Sequence, residues 1–231
     1  MNHDDRRPSA VGDAEALAGE PISVPLADLR ERLRAAAPLV DGDDPTSAQW
    51  RLLRDASAER GRVFEYHAEG WVDARGGSEH LCRFHETIGR WEKSTHENGA
   101  GWWVDPDGRF CLPATPRQYL ERLDLANQVF GDDIRFVGVD VGPTPHSCRI
   151  RTTQPHVPGN APNQSTLEEW LVALGFERQQ HLQIGAYDSL CFRRESLWLF
   201  DVRPMNFVEI TSGELFAIDV IVQNFEADAG S

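Results

Sequence analysis

The stretch from Phe200 to Val220 constrains the fold more than any other part of the chain. A polar loop, Asp201-Val202-Arg203-Pro204-Met205-Asn206, leads into two short apolar runs, Phe207-Val208-Glu209-Ile210 and Leu215-Phe216-Ala217-Ile218. Thr211-Ser212-Gly213-Glu214 between them has turn composition, so the two runs are expected to pair as a hairpin. Such a hairpin brings Asp201, Asn206 and Asp219 to one end of a small sheet. Two carboxylates and a carboxamide are hard oxygen donors that suit magnesium better than zinc, and magnesium implies a phosphate. Pro204 fixes φ in the loop and so holds Asp201 and Asn206 in a set relation before any ligand arrives.

Asp201-x-Arg203-Pro204-x-Asn206 resembles the catalytic loop of protein-kinase-like phosphotransferases, and Ala217-Ile218-Asp219 is similar to their metal-binding aspartate. More narrowly, the chain looks like the small kinase-like domains of polyvalent proteins from phages and conjugative elements. The resemblance implies an α+β, minimal two-lobed protein-kinase-like fold: an antiparallel-sheet N-lobe over residues 61–153, then a hinge and truncated C-lobe over 154–231. It implies ATP and Mg2+ as cofactors, with Asn206 and Asp219 on the metal and Asp201 orienting the acceptor hydroxyl. Arg203 would offset charge on the transferred phosphoryl. Lys93, at the end of an alternating strand, is the expected anchor for the α- and β-phosphates, and Glu121 on the following helix its ion-pair partner. Gly76 and Gly77 form the expected phosphate cover, and Gln154 lies where the family's hinge meets the adenine edge.

Three features depart from the family. Leu199 stands where a histidine commonly precedes the catalytic aspartate, Val220-Ile221 replaces the usual Phe-Gly, and few residues follow Asp219. Two functions follow from the resemblance. One is a phosphotransferase using Mg-ATP on an unknown acceptor. The other is a catalytically inactive nucleotide-binding module that engages a protein partner in a mobile-element or phage-related system.

Composition narrows the partners. A formal net charge of −14 argues against direct nucleic-acid binding, because affinity there rests on clustered Lys and Arg. No run of 18 apolar residues and no secretory leader pattern is present, so no membrane association and a cytoplasmic address are expected. Cys82, Cys111, Cys148 and Cys191 are widely spaced and are expected as free thiols. His67, His80, His85 and His96 lack metal-ligand spacing and are expected as ordinary surface or core histidines.

Residues 1–24 lack periodicity and are expected to be a disordered lead, followed by a helical extension over 25–60. Leu26, Leu29 and Leu33 recur at helical spacing, and Thr46 or Ser47 is the expected cap of a second helix carrying Trp50 and Leu53. Short alternating runs from Arg62 to Thr95 predict a strand meander, and residues 98–112 a further hairpin. Thr115, Pro116 and Gly131 bracket a predicted helix with Tyr119, Leu120, Leu123, Ala126 and Phe130 on one face. Two strands, 134–141 and 148–153, complete the sheet, and Ser165-x-x-Glu168 predicts a capping box on a further helix.

Overall fold

The structure, a computed structural model, describes residues 18–36, 44–67, 69, 71–73, 79–97, 99–105, 110–111, 114–142, 144, 147–182, 184–185 and 187–225. Gly76 and Gly77 lie outside the described residues. Among the described residues the chain is α+β, with four α-helices and largely antiparallel sheets.

The main sheet grows from the alternating runs. Strands β3 (Val72–Asp73), β4 (His80–His85) and β5 (Arg90–Thr95) form an antiparallel meander. After helix α3 (Pro116–Phe130), β8 (Arg135–Val141) and β9 (Cys148–Pro155) return as a hairpin, and β9 pairs with β5. The outer edge of β8 takes β1 (Glu20–Pro21) antiparallel and β2 (Val63–Glu65) parallel. A disordered lead through residue 24 is therefore corrected at its end. Glu20 and Pro21 pair with Phe136 and Arg135, and Ile22 is buried.

Helices α1 (Ser23–Ala36) and α2 (Pro45–Glu59) bury Leu26, Leu29, Trp50 and Leu53 in the same apolar cluster as Tyr119, Leu120 and Phe136. The cap of α2 is Asp44, whose carboxylate accepts from Ser47 N at 3.0 Å, in place of the expected Thr46 or Ser47. Asp serves there because a short side-chain oxygen reaches an orphan amide of the first turn. Helix α4 (Gln164–Ala173) is likewise capped by Asn163, which accepts from Thr166 N, so the expected Ser165 box is not the device used.

Thr115 does cap α3. It forms a reciprocal box with Gln118, Pro116 opens the helix and Gly131 ends it at φ +69°. Thr115→Ala is expected to cost about 1 kcal/mol, read as a lower urea midpoint at unchanged slope, whereas Ser165→Ala should cost only a few tenths. Equal costs would contradict this assignment of the caps.

The remaining chain forms a second sheet and two hairpins. Strands β10 (Glu177–Arg178), β11 (Leu190–Arg194), β12 (Leu197–Val202) and β15 (Ile221–Asn224) pair in that order. Between β12 and β15 lie a 3₁₀ turn, Pro204–Asn206, and the expected hairpin of β13 (Phe207–Glu209) with β14 (Leu215–Ala217). The other hairpin is β6 (Trp103–Val104) with β7 (Phe110–Cys111). The larger core cluster runs from Ile22 through Leu167 and Phe192 to Val222, so both sheets share it. No described helix is long and apolar enough to cross a membrane.

Alternation divides the main sheet chemically. Trp91 and Lys93 share one face of β5 with Cys82 and Phe84 across on β4 and Thr152 and Gln154 across on β9. The other face buries charge. Glu92 is fully buried, accepts from Arg83 at 2.9 Å and His85 at 2.8 Å, and lies 3.3 Å from Arg151. Asp140, equally buried, pairs with Arg151 and accepts from Ser94. Arg151 also lies over the rings of Phe64 and Trp71.

Candidate functional site

The Lys93 face of the sheet, α3 and the segment ending in Asp219 enclose the candidate site. Lys93 stands on the third strand of the β3–β4–β5 meander. Its ammonium donates to the Ile218 carbonyl at 2.7 Å and lies 3.9 Å from Asp219 Oδ1. Residues far apart in sequence thus meet. Asn206 joins them through the backbone, where Ile218 N donates to Asn206 O at 2.9 Å.

The loop before this junction is held tightly. Asp201 has φ +54°, a left-handed conformation uncommon outside glycine. Its amide donates to Ile184 O at 3.1 Å, and its carboxylate accepts from Ser189 Oγ at 2.5 Å. Asn206 Nδ2 donates to Asp201 O at 2.7 Å and to Oδ2 at 2.8 Å, which leaves the Asn206 carbonyl oxygen as the end not used in that pair. Arg203 Nε lies 3.7 Å from Asp201 Oδ2 and is buried without a hydrogen-bond partner. Three of the expected residues, Asp201, Arg203 and Asn206, therefore form one cluster.

Two expectations fail. Glu121 accepts from Arg30 at 2.7 Å and lies 3.6 Å from Arg117, so it does not meet Lys93. It points off the buried stripe of α3, where α1 supplies a cation. Asp124 on the same helix accepts from Gln128 at 2.9 Å. Gln154 is buried, and its amide is committed to Ala217 O at 3.3 Å, tying β9 to β14 in place of presenting an edge to a ligand.

In place of the Glu121 pair, the site holds residues that sequence reasoning missed. His80 is buried, with Nε2 2.9 Å from Tyr119 Oη. Arg122, 2% exposed, pairs with Glu79 at 2.7 Å and donates to Trp102 O at 2.8 Å. Glu79 Oε1 also accepts from Trp102 N at 2.7 Å. The one signal in the sequence was the position of Arg122, one turn from Tyr119 within the apolar stripe of α3.

Burial governs the electrostatics here. It pushes the Tyr119 hydroxyl up and His80 down, keeping both neutral. It also pushes Asp219 up, but the charges of Lys93 and Arg122 outweigh it and hold the carboxyl below its usual range. The Asp219 side chain is nevertheless 42% exposed, so it is recessed among cations yet open to water on one side. Donor atoms of Glu79, His80 and Asp219 lie within 4.8 Å of one another. Both carboxylates already face a cation, however, and this set gives a metal ion little to neutralise.

Asn206 and Asp219, the expected magnesium pair, are oxygen donors of the type magnesium takes, and Asp219 is opposed by Lys93 here as well. The enclosed cavity among Lys93, Tyr119, Arg122, Asp132, Gln154 and Asp219 offers about 20 Å³ to water centres, room for a water and not for a nucleotide. A nucleotide would have to lie along the open side, where Asp219 meets solvent. Two residues before Lys93, Trp91 stands half-exposed beside Phe84, with ring centroids 5.1 Å apart, and donates to His156 at 3.1 Å. These rings make an exposed aromatic surface on the lysine's own strand face.

Comparison with family models, curated proteins and solved structures returns no match to the chain.

Proposed function

We propose that this protein is a kinase-like nucleotide binder that takes Mg-ATP between β5 and the Asn206–Asp219 segment, with phosphoryl transfer to an acceptor at Asp201 as its activity. The observation that carries this reading is the contact of Lys93 with Ile218 and Asp219, which unites the strand lysine with the loop that resembles a kinase catalytic loop. In kinases the anchoring lysine is on the third strand, as Lys93 is on the third strand of the meander. Asn206 and Asp219 would hold magnesium, which when bound neutralises charge between the phosphates. Lys93 would exchange the Ile218 carbonyl for a phosphate oxygen, Arg203 would offset phosphoryl charge, and Trp91 with Phe84 would give the base a surface to stack on.

A second reading, nucleotide binding without turnover, is favoured by Glu121. In this reading the ammonium of Lys93 has no helix carboxylate to orient it, and a partner protein is the natural client of the bound state.

Thermal unfolding with and without ATP and magnesium tests the binding shared by both. At a hundredfold excess over Kd, binding should add about 2.7 kcal/mol. For a chain of this size that raises the midpoint by roughly 5–10 °C. Asp219→Asn should abolish the shift. An unchanged midpoint at millimolar nucleotide overturns the proposal. Turnover lost in Asp201→Ala, with the shift retained, separates the enzyme from the passive binder.

A further inference from the structure

We infer that Ser189 is this protein's own phosphoryl acceptor, an assignment that rests on the phosphotransferase reading above. Under that reading Asp201 orients the hydroxyl that receives the phosphoryl group. A hydroxyl is already there: Ser189 Oγ donates to Asp201 Oδ1 at 2.5 Å, in the short range of hydrogen bonds to carboxylates.

The surrounding geometry fixes this pair. Asp201 is held at positive φ by its amide bond to Ile184 O, and its second carboxylate oxygen is bound by Asn206. Only Oδ1 therefore turns toward Ser189. Arg203, partly exposed but with Nε buried and lacking a hydrogen-bond partner, stands 3.7 Å from Asp201, and its charge also acts on Asp219. One cation thus acts on both Asp201 and Asp219. Ser189 is 2% exposed, so the proposed transfer is within the chain, from a donor that enters by the pocket the residue borders. That open pocket, of about 270 Å³, is also bordered by Arg178, Gln179, Tyr187 and Asp188 and gives a phosphate group room; Arg178 there is paired with Glu168.

The step balances without a further reactant. Ser189 Oγ bonds to the γ-phosphorus of ATP, and the bond from that phosphorus to the β,γ-bridging oxygen breaks. ADP leaves with the electron pair, and the hydroxyl proton passes to Asp201. The product is one phosphoserine per chain.

The test incubates the full chain with γ-labelled ATP and magnesium, maps the label by mass spectrometry, and measures the Mg-ATP thermal shift in parallel. The label is expected on Ser189, at a rate independent of protein concentration. It should vanish in Ser189→Ala and Asp201→Asn and return as phosphothreonine in Ser189→Thr. A thermal shift with unmodified Ser189, or a rate that rises with protein concentration, overturns the assignment and leaves nucleotide binding standing. Neither shift nor label overturns both. The wild-type map decides even if a variant fails to fold.

Discussion

Arg122→Met is expected to lower the unfolding free energy by about 3–5 kcal/mol, and Glu79→Ala by a similar amount, in urea unfolding at neutral pH. Arg122 is 2% exposed and the Glu79 side chain 10% exposed, and the two meet at 2.7 Å. Removing either leaves a buried charge without its counterion, which costs more than the pair itself contributes. The loss extends to the backbone, because Arg122 donates to Trp102 O and Glu79 accepts from Trp102 N. Those bonds fix the chain at the entry to the β6–β7 hairpin. Glu79→Gln with Arg122→Met keeps an acceptor for the Trp102 amide and removes both charges, so the double variant should recover at least half of the Arg122 loss. Costs under 1 kcal/mol for both single variants would mean that water reaches the pair and that it is not the core element its burial implies.

How much of this was legible in the sequence depends on how local the cause is. The α3 helix was legible from Thr115, Pro116 and Gly131 because capping and a left-handed stop are decided within one turn. The hairpin of β13 and β14 was legible for the same reason, its turn residues lying between two apolar runs. The meeting of Lys93 with Asp219 was not legible, since nothing local links residues that far apart; the resemblance named each residue separately.

The failures share a cause. Glu121 and Arg122 are neighbours on α3, and a rotation of about 100° between them decides which faces the core. A charged residue beside an apolar stripe reads as its edge, and only its pairing with Glu79 shows that Arg122 faces the core. Arg90-Trp91-Glu92-Lys93 alternates, but both sets contain charge, so the pattern fixes two faces without saying which is buried. The Arg90–Glu92 face turns out to be the buried one, which is why Glu92 and Asp140 lie fully buried among arginines, while Trp91 stays exposed. Ser189 carries no sequence signal at all, because its role comes from Asp201 across the β11–β12 pair.

Stability should also carry the mark of Asp132, which lines the same cavity as Lys93 and Asp219. Burial pushes its carboxyl from 3.8 up to about 7, with Lys93 opposing. The native state therefore keeps a proton that the unfolded chain releases above about pH 4. Stability is lost as pH rises through this window, by about 1.4 kcal/mol per unit and about 4 kcal/mol at most, and levels off above pH 7. His80 runs the other way. Burial lowers its pKa, so the native state binds fewer protons than the unfolded chain below pH 6.5, and acid destabilises it. Asp28, Asp133 and Asp219 are held below 3.8 and act only at lower pH, and Asp140, raised by burial, acts in the same direction as Asp132. These groups are common to wild type and Asp132→Asn, so the difference between the two curves isolates Asp132. The variant is expected to match wild type near pH 4, to gain on it steadily up to pH 7, and to hold a constant advantage above. Parallel curves across that range would show that Asp132 ionises freely in the native state, and the cavity beside Lys93 would then be wetter than its 20 Å³ allows.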